Sequence, residues 1–513
     1  MSTDQSVIIE FLNKPESYGL KEARDVQRFD THISIVFLVG DFAYKLKRAI
    51  QLPFVNFKKL EDRKKYCQLE LNINQRASPT LYENVVPITK NEQGQLTLNG
   101  HGEVVDWLVR MKRFKQENLF ESLAKKGELS IEGMEKLADH IVDYYKQADV
   151  DRTLGGVNGI KRAFSGHYKA FDNCPENVLS NDLIQNLKQV VASQIEKHES
   201  LMQDRQETGF VRQCHGDLHL RNICFFQGNI TLFDAIEFEP DYAIIDVFYD
   251  LSFLLMDLCH RGLSDLANAV MNRYLGLTGD VVALNLLPLF MASRSAIRTH
   301  VNAVASKNQL SESAGRNLEI DARAYLSEAL SYFEPVKPKL VAIGGLSGTG
   351  KSVLAKKIAP DLGRKPGAFI ARTDLIRKRL MRAKPDEELS DDGYRPNVTQ
   401  HTYNTLFVEI RMALHARQSV IVDGVFAKPE EREMLEAIAQ ALEAPFVGIW
   451  LEADLKILEN RVESRVNDPS DADVEIVKLQ SNYDLGDVSW TRLDADQTVE
   501  TVYDKALKII DVS

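Results

Sequence analysis

The sequence predicts two folds in tandem: an α+β domain built on an antiparallel sheet with a large helical part, then an α/β domain built on a parallel sheet. Three observations predict this. Residues 33–47 read as strand, tight turn and strand, a helix follows, and helical periodicity then dominates from 130 to 333. Residues 340–359 read as a buried strand, a glycine-rich loop and the start of a helix. Between the two lies Glu334-Pro-Val-Lys-Pro-Lys339, a proline-containing linker with no periodicity. The expected domains are therefore 1–333, divided into lobes at about residue 114, and 340–513.

Composition agrees with more than one soluble core. A chain of 513 residues is too long for a single hydrophobic core. Its 44% hydrophobic and 27% charged residues are ordinary for globular domains. A net charge of −11 weighs against a nucleic-acid backbone or an anionic membrane as the main partner. Met1 to Glu10 has no basic stretch followed by an apolar core, so no signal peptide is expected. The apolar stretch 281–292 is broken by Asn285 and Pro288 and falls short of a membrane span. Five scattered cysteines, an odd count without paired spacing, favour reduced thiols in a cytoplasm. Cys214 and Cys224 read as small buried packing residues.

The first domain opens with strand 33–39, the turn Gly40-Asp41 and strand 42–47. Period-2 alternation puts Lys45 and Lys47 on one face, Tyr44 and Leu46 on the other. An inward lysine there can reach a nucleotide phosphate; the alternative is a solvated strand face. Helix 60–77 offers the carboxylate such a lysine needs: Glu70, a few residues before the helix stop at Ser78-Pro79, with Glu61 as the second candidate. Val104 to Phe114 reads as a strand leading towards a second lobe. Helical stripes follow, Ser130 capping the first. Gly155-Gly156-Val157-Asn158-Gly159 has no strand before it, so it reads as a turn rather than a phosphate loop.

The chemistry gathers at His215-Gly-Asp-Leu-His-Leu-Arg-Asn222. A hairpin across Gln227-Gly228-Asn229 follows it, and then Asp234. A substrate hydroxyl needs a carboxylate to orient it and accept its proton, which suits Asp217. Magnesium needs oxygen ligands, which suit Asn222 and Asp234. This pattern resembles the aminoglycoside phosphotransferase and choline kinase branch of the protein-kinase-like fold, over roughly residues 30 to 330. The resemblance implies a two-lobed kinase domain. It makes Asp217 the catalytic base, Asn222 and Asp234 metal ligands, Lys45 a contact to the α/β-phosphates, and Asp250 a brace for the catalytic loop. The chain departs from the pattern in lacking a G-x-G-x-x-G loop before Lys45. Glu237 and Glu239 either line the site or are solvated. Arg294 and Arg298, one helical turn apart, either face an acidic substrate or make structural ion pairs.

In the second domain, Gly345-Leu-Ser-Gly-Thr-Gly-Lys-Ser352 sits between a strand and a helix, the context a G-x-x-x-x-G-K-S phosphate loop requires. Gly345, Ser347, Gly348, Thr349, Gly350, Lys351 and Ser352 are the expected nucleotide contacts. Backbone N–H groups cradle phosphates, Lys351 neutralises β/γ charge, and Ser352 binds magnesium. Three further strands are expected, at 368–371, 419–422 and 446–451. Asp374 and Asp423 follow the first two, at the carboxyl edge where such sheets bind ligands. Asp374 is assigned as acceptor-hydroxyl base and Asp423 as the carboxylate near magnesium; helix capping is the alternative for each. Arg461 and Arg465 share one face of helix 455–466, ahead of the flexible stretch 467–471. They suit a lid that stabilises the transferring phosphoryl group, or else a solvated face. Residues 338–513 resemble small P-loop kinases such as gluconate kinase, polynucleotide kinase and zeta toxins. The whole arrangement resembles bacterial proteins with an aminoglycoside-phosphotransferase-like domain and an ATP-binding domain.

The expectation is thus a bifunctional ATP- and Mg2+-dependent phosphotransferase acting on hydroxyl-bearing small molecules. Two rivals stand beside it: one half as a nucleotide-binding regulator of the other, and the P-loop half as a toxin-like kinase of a nucleotide sugar or nucleic acid. Acceptors, nucleotide preference and oligomeric state stay open.

Overall fold

The computed structural model describes residues 4–19, 25–52, 55–175, 177–307, 309, 311–464 and 470–512. The chain divides into two compact units. Met1–Leu129, Asp143–Arg162 and Glu199–Leu254 form the first; Ser130–Val142, Ala163–His198 and Leu255–Ser513 form the second. The proline-containing segment 334–339 lies inside the second unit.

The first unit is organised by six strands: β1 (Gln27–Asp30), β2 (Ser34–Val39), β3 (Phe42–Lys47), β4 (Tyr82–Lys90), β5 (Leu96–Leu98) and β6 (Glu103–Lys112). Their order is β1-β2-β3-β6-β4-β5, with every pair antiparallel. Alternation separates the two faces. Ile35, Phe37, Tyr44, Leu46, Ile88 and Leu108 pack with Ile8 and Leu12 on one side. Lys45 and Lys47 therefore face the other side, towards helix α1 (Leu60–Ala77). Glu61 and Asp62 in the first turn of α1 suit its dipole, and Ser78-Pro79 ends it. Arg63 anchors α1 to β6 through a buried ion pair with Asp106 at 2.7 Å. The hairpin β7 (Ile223–Phe226) and β8 (Asn229–Leu232) turns on two residues, Gln227 and Gly228, at φ 51° and 81°. Asn229, expected in the turn, belongs to the strand: two successive positive φ angles make a type I′ turn, which needs no third residue.

The second unit holds a five-stranded parallel sheet: β9 (Leu340–Gly344), β10 (Phe369–Arg372), β11 (Val420–Asp423), β12 (Phe446–Glu452) and β13 (Thr491–Asp494). Its order is β10-β11-β9-β12-β13. Central β9 is buried throughout, as its continuous apolar run predicts. Val341, Ile343, Leu354, Ile358, Ile449 and Leu451 form the core around it. The fifth strand was not expected. Its pattern, Thr-Arg-Leu-Asp, exposes three of four residues and gives no apolar run to read.

An edge strand of this sheet is covered in an unusual way. Helix α2 (Ser264–Thr278) presents two asparagines to β10. Asn268 and Asn272 each donate Nδ2 to Ala368 O, at 3.0 and 3.1 Å, and Asn272 Oδ1 accepts from Ile370 N at 2.7 Å. The carboxamide of Asn272 thus takes the place of a neighbouring strand's backbone amide and satisfies the edge. Replacing Asn272 with leucine leaves Ile370 N unpartnered at a covered edge, while Ala368 O keeps its bond from Asn268. The expected cost is about 1–3 kcal/mol, read from chemical unfolding.

The same unit shields two neighbouring histidines, His167 buried and His300 half-buried. His167 Nε2 lies 3.1 Å from Ser293 Oγ, and the His167 and His300 rings are 5.6 Å apart. Burial holds His167 well below its ordinary value, with His300 and Arg294 adding to the effect. Burial, with Arg298 nearby, brings His300 from 6.5 to about 4. Both rings stay neutral in the folded protein while the unfolded chain protonates, so folding stability is intact above the unfolded value. It falls as pH drops from 6.5 towards 4. Melting temperature measured against pH shows this slope, and His300→Phe reduces it.

Candidate active sites

The first site is built around β3. Lys45 Nζ lies 2.7 Å from Glu70 Oε1 and 2.6 Å from Asp234 Oδ1. Lys47 Nζ lies 2.6 Å from Glu70 Oε2 and also pairs with Glu237. Glu70 and Lys47 have fully buried side chains. The structure brings Glu70, not the exposed Glu61, to Lys45. Glu237 is buried against Lys47; Glu239 makes no such pair among the described contacts. Burial opposes charge on Lys45, but Asp234 and Glu70 outweigh it and hold its pKa well above the ordinary lysine range. Burial likewise opposes charge on Glu70, and Lys45 and Lys47 overcome it, bringing Glu70 to about 2. Glu237 is pushed up by burial, with Lys47 only partly offsetting this. Three carboxylates share two ammonium groups here, and Glu237 carries the deficit.

The catalytic-loop candidates meet beside this network. Asn222 Nδ2 donates to Asp217 O and to Asp217 Oδ2, both at 2.9 Å. His219 Nε2 lies 3.3 Å from Asp217 Oδ2. Asp250 accepts from His215 N at 3.1 Å, Gly216 N at 2.8 Å and Tyr145 Oη at 3.1 Å. Gly216 has φ 83°, and a Cβ there would lie 2.8 Å from Tyr242 O, so the loop requires glycine. Asp234 is itself left-handed, at φ 62°. Its N–H donates to Tyr82 Oη at 3.1 Å, Ala235 N donates to Asn74 Oδ1 at 2.9 Å, and Ile236 N donates to His215 O at 2.9 Å. These bonds on both sides hold an unfavourable backbone angle in place. Cys224 is buried and its thiol is pushed up to about 12; Cys214 is buried too. Arg294 is buried in the second unit, and Arg298 lies 6.0 Å from the Tyr325 ring centroid.

The second site lies at the carboxyl edge of the parallel sheet. Gly345 and Gly348 have φ 136° and 89°; a Cβ on them would meet Leu451 O at 2.5 Å and Leu458 O at 2.8 Å. Gly350 caps helix α3 (Lys351–Ile358) without a side chain, leaving first-turn N–H groups for a ligand. Lys351 Nζ donates to Leu346 O at 2.9 Å, and Ser352 Oγ donates to Asp423 Oδ2 at 2.6 Å. A cavity of about 1000 Å³ is lined by Ser347 to Ser352, Asp374, Asp423 and Arg461 among others; Gly345 lies outside its wall. Asp374 sits in the first turn of helix α4 (Thr373–Leu380). Arg461, on helix α5 (Leu455–Glu463), donates Nη2 to Ala495 O at 2.8 Å. Arg465 lies outside the described residues. Asp471, expected in a flexible stretch, is instead held by Lys378 Nζ at 2.8 Å and Tyr394 Oη at 2.7 Å. Buried Lys378 needs a counter-charge, which explains the difference.

Sequence reasoning missed two contributors, Arg372 and Gln480, and gave a third, Lys47, no partner of its own. Lys47 was visible as the same-face neighbour of Lys45. Arg372 carried no signal beyond ending a strand. Gln480 on helix α6 (Val474–Gln480) accepts from Ser347 N at 2.9 Å, across 133 residues, with no local signature. Among the described residues, no group of three or more His, Cys, Asp or Glu side chains is placed to hold a metal by itself. Asn222 with Asp234, and Ser352 with Asp423, are hard oxygen donors of the kind Mg2+ takes alongside phosphate and water oxygens.

The comparisons with known proteins bear on both parts. Residues 340–483 match a family model described as an AAA domain. An uncharacterised protein of Mycobacterium tuberculosis strain H37Rv is 27% identical over 470 residues, covering 89% of this chain and 90% of the relative. A choline/ethanolamine kinase family protein from Mesorhizobium loti aligns with TM-score 0.38 at 11% identity, over 64% of this chain and 99% of that one. A gluconokinase from Sinorhizobium meliloti aligns with TM-score 0.25 at 21% identity, over 34% of this chain and 93% of that one. The architecture is an antiparallel sheet followed by helices in the first part, and a five-stranded parallel α/β fold with the G-x-x-x-x-G-K-S loop after its central strand in the second. Among the described residues no helix is long and apolar enough to cross a membrane.

The buried network makes a clear mutational prediction. Glu70→Gln leaves two buried ammonium groups short of their shared carboxylate, with an expected loss of about 3–5 kcal/mol. Glu61→Gln, at an exposed position, changes stability by no more than about 0.5 kcal/mol. Guanidinium unfolding of the two variants distinguishes them.

Proposed function

We propose that this protein is a bifunctional phosphotransferase, with domains 1–333 and 340–513 each transferring the γ-phosphoryl group of ATP to a hydroxyl of a small molecule. The observation that carries the reading is Lys45. It contacts Glu70 and Asp234, 25 and 189 residues away, while Asn222 bonds Asp217 in the same unit. That set supplies the lysine, its carboxylate partner, the candidate base and the candidate metal ligands of a kinase site. In the first half, Asp217 accepts the acceptor's proton, and Asn222 orients Asp217 while offering its carbonyl oxygen to magnesium. Asp234 is the second metal ligand, and Lys45, fixed by Glu70, neutralises phosphate charge. In the second half, the Gly345–Ser352 loop and the α3 N-terminus bind the phosphates. Lys351 leaves Leu346 O to meet them, Ser352 and Asp423 hold magnesium, Asp374 accepts the acceptor's proton, and Arg461 with Arg465 stabilises the transferring group. Bound magnesium supplies charge neutralisation on the β- and γ-oxygens. Five cysteines without disulfides support a reducing, cytoplasmic setting.

Transfer of label from γ-labelled ATP into a metabolite pool tests the reading. Asp217→Asn and Lys351→Ala should each remove one set of labelled products by about 100-fold or more, and the double variant should remove both. A single variant that leaves every product unchanged makes its half a nucleotide-binding regulator. Labelled nucleic acid or nucleotide sugar would favour the toxin-like alternative.

A further inference from the structure

Arg372 closes β10 and Asp423 closes β11, and the two are paired in the parallel register. Their side chains are only 6% and 5% exposed. Arg372 Nε lies 3.1 Å from Asp423 Oδ2, and Arg372 Nη2 donates to Ser352 Oγ at 2.8 Å. Ser352 Oγ spends its own proton on Asp423 at 2.6 Å. Guanidinium, hydroxyl and carboxylate thus close a ring of three contacts. Arg372 does not line the cavity that Ser352 and Asp423 face, so it approaches them from behind.

Two members of this ring are the side chains proposed above to hold magnesium. A serine hydroxyl has one proton and two lone pairs. The proton goes to Asp423 and one lone pair goes to Arg372, which draws electron density from the oxygen left to ligate a cation. The charge balance matters more. With Arg372 in place, the buried Arg372–Asp423 pair is electroneutral; without it, the site carries a full negative charge. Coulombic effects of this kind are large where water is excluded. A cation already bound behind the ligands lowers the affinity for a second cation in front of them.

We infer that Arg372 is a charge-setting residue of the P-loop half. It holds Ser352 and Asp423 in register without metal and lowers their affinity for magnesium. The inference rests on Ser352 and Asp423 being the magnesium side chains. Arg372 is a positioning residue: it acts through those two groups.

The test uses the full-length protein and a fluorescent, non-hydrolysable ATP analogue, titrated with magnesium chloride and separately in EDTA. A thermal-shift series with magnesium chloride alone provides a readout independent of nucleotide. Arg372→Gln should lower the magnesium concentration at half-saturation roughly tenfold, equivalent to about 1.4 kcal/mol. It should also lower the melting temperature in EDTA and enlarge the magnesium-induced shift. Arg372→Lys keeps the charge while losing the fork, and should stay near the wild-type magnesium requirement. An unchanged or raised magnesium concentration at half-saturation in Arg372→Gln overturns the inference, as does a lysine variant that behaves like the glutamine one. Should Arg372→Gln not fold, the lysine variant still decides: a wild-type magnesium requirement supports charge-setting, and a shifted one overturns it. Failure of the underlying reading looks different: analogue binding that survives Lys351→Ala, or that needs no magnesium in the wild type.

Discussion

Glu70 has no contact with water and stays ionised because two ammonium groups reach it from one strand. Much of the first unit follows from that constraint. Lys45 and Lys47 can both reach Glu70 only if β3 keeps its register, since a one-residue slip turns every side chain to the opposite face. The register is secured from the other face, where Tyr44 and Leu46 pack into the apolar core, and by α1, which Arg63 ties to Asp106 on β6. The metal-ligand candidate Asp234 joins the same network through Lys45. The hydrophobic pattern of one face therefore sets the chemistry of the other.

This division explains what the amino-acid sequence reveals. Strands 34–39 and 42–47, helix 60–77 and the strand–loop–helix at 340–358 were legible because each is encoded locally, by alternation, by a two-residue turn or by a glycine motif. The preference for Glu70 over Glu61 as the partner of Lys45 rested on its place just before the helix stop, and the structure pairs Lys45 with Glu70. Both glutamates lie on one helix, and only its packing against the sheet decides which faces inward. The Glu237 partner of Lys47 lies 190 residues away and has no local signature.

The parallel sheet shows the same limit from another side. Its central strand is a run of apolar residues and was readily seen, while the fifth strand, mostly exposed, was not. The covering of β10 by Asn268 and Asn272 was equally hidden. Asparagine on a helix reads as a polar surface residue. Only the structure reveals a carboxamide substituting for a strand's peptide group. The segment 334–339 carries the composition of a linker, yet the contacts made by α2 place helices on both sides of it in one compact unit. Composition reports local stiffness and solvation; it does not report which surfaces meet.

The two candidate sites, on unrelated folds, solve one electrostatic problem alike. Each carboxylate read as a metal ligand is matched by a basic side chain carried on a strand: Asp234 by Lys45, Asp423 by Arg372. In both, the folded protein avoids an isolated anion. The sites differ in solvent access. The Asp234 side chain is 46% exposed, so water screens its pairing with Lys45, whereas Asp423 is 5% exposed and its pairing with Arg372 is hardly screened. The same substitution logic therefore has unequal weight in the two halves. Removing the cation beside Asp234 disturbs a group that solvent already stabilises. Removing the one beside Asp423 leaves a buried carboxylate that keeps the Ser352 hydroxyl but loses its matching charge. The charge balance around Ser352 and Asp423 is thus tied to a residue outside the phosphate loop, at the end of the strand that α2 covers.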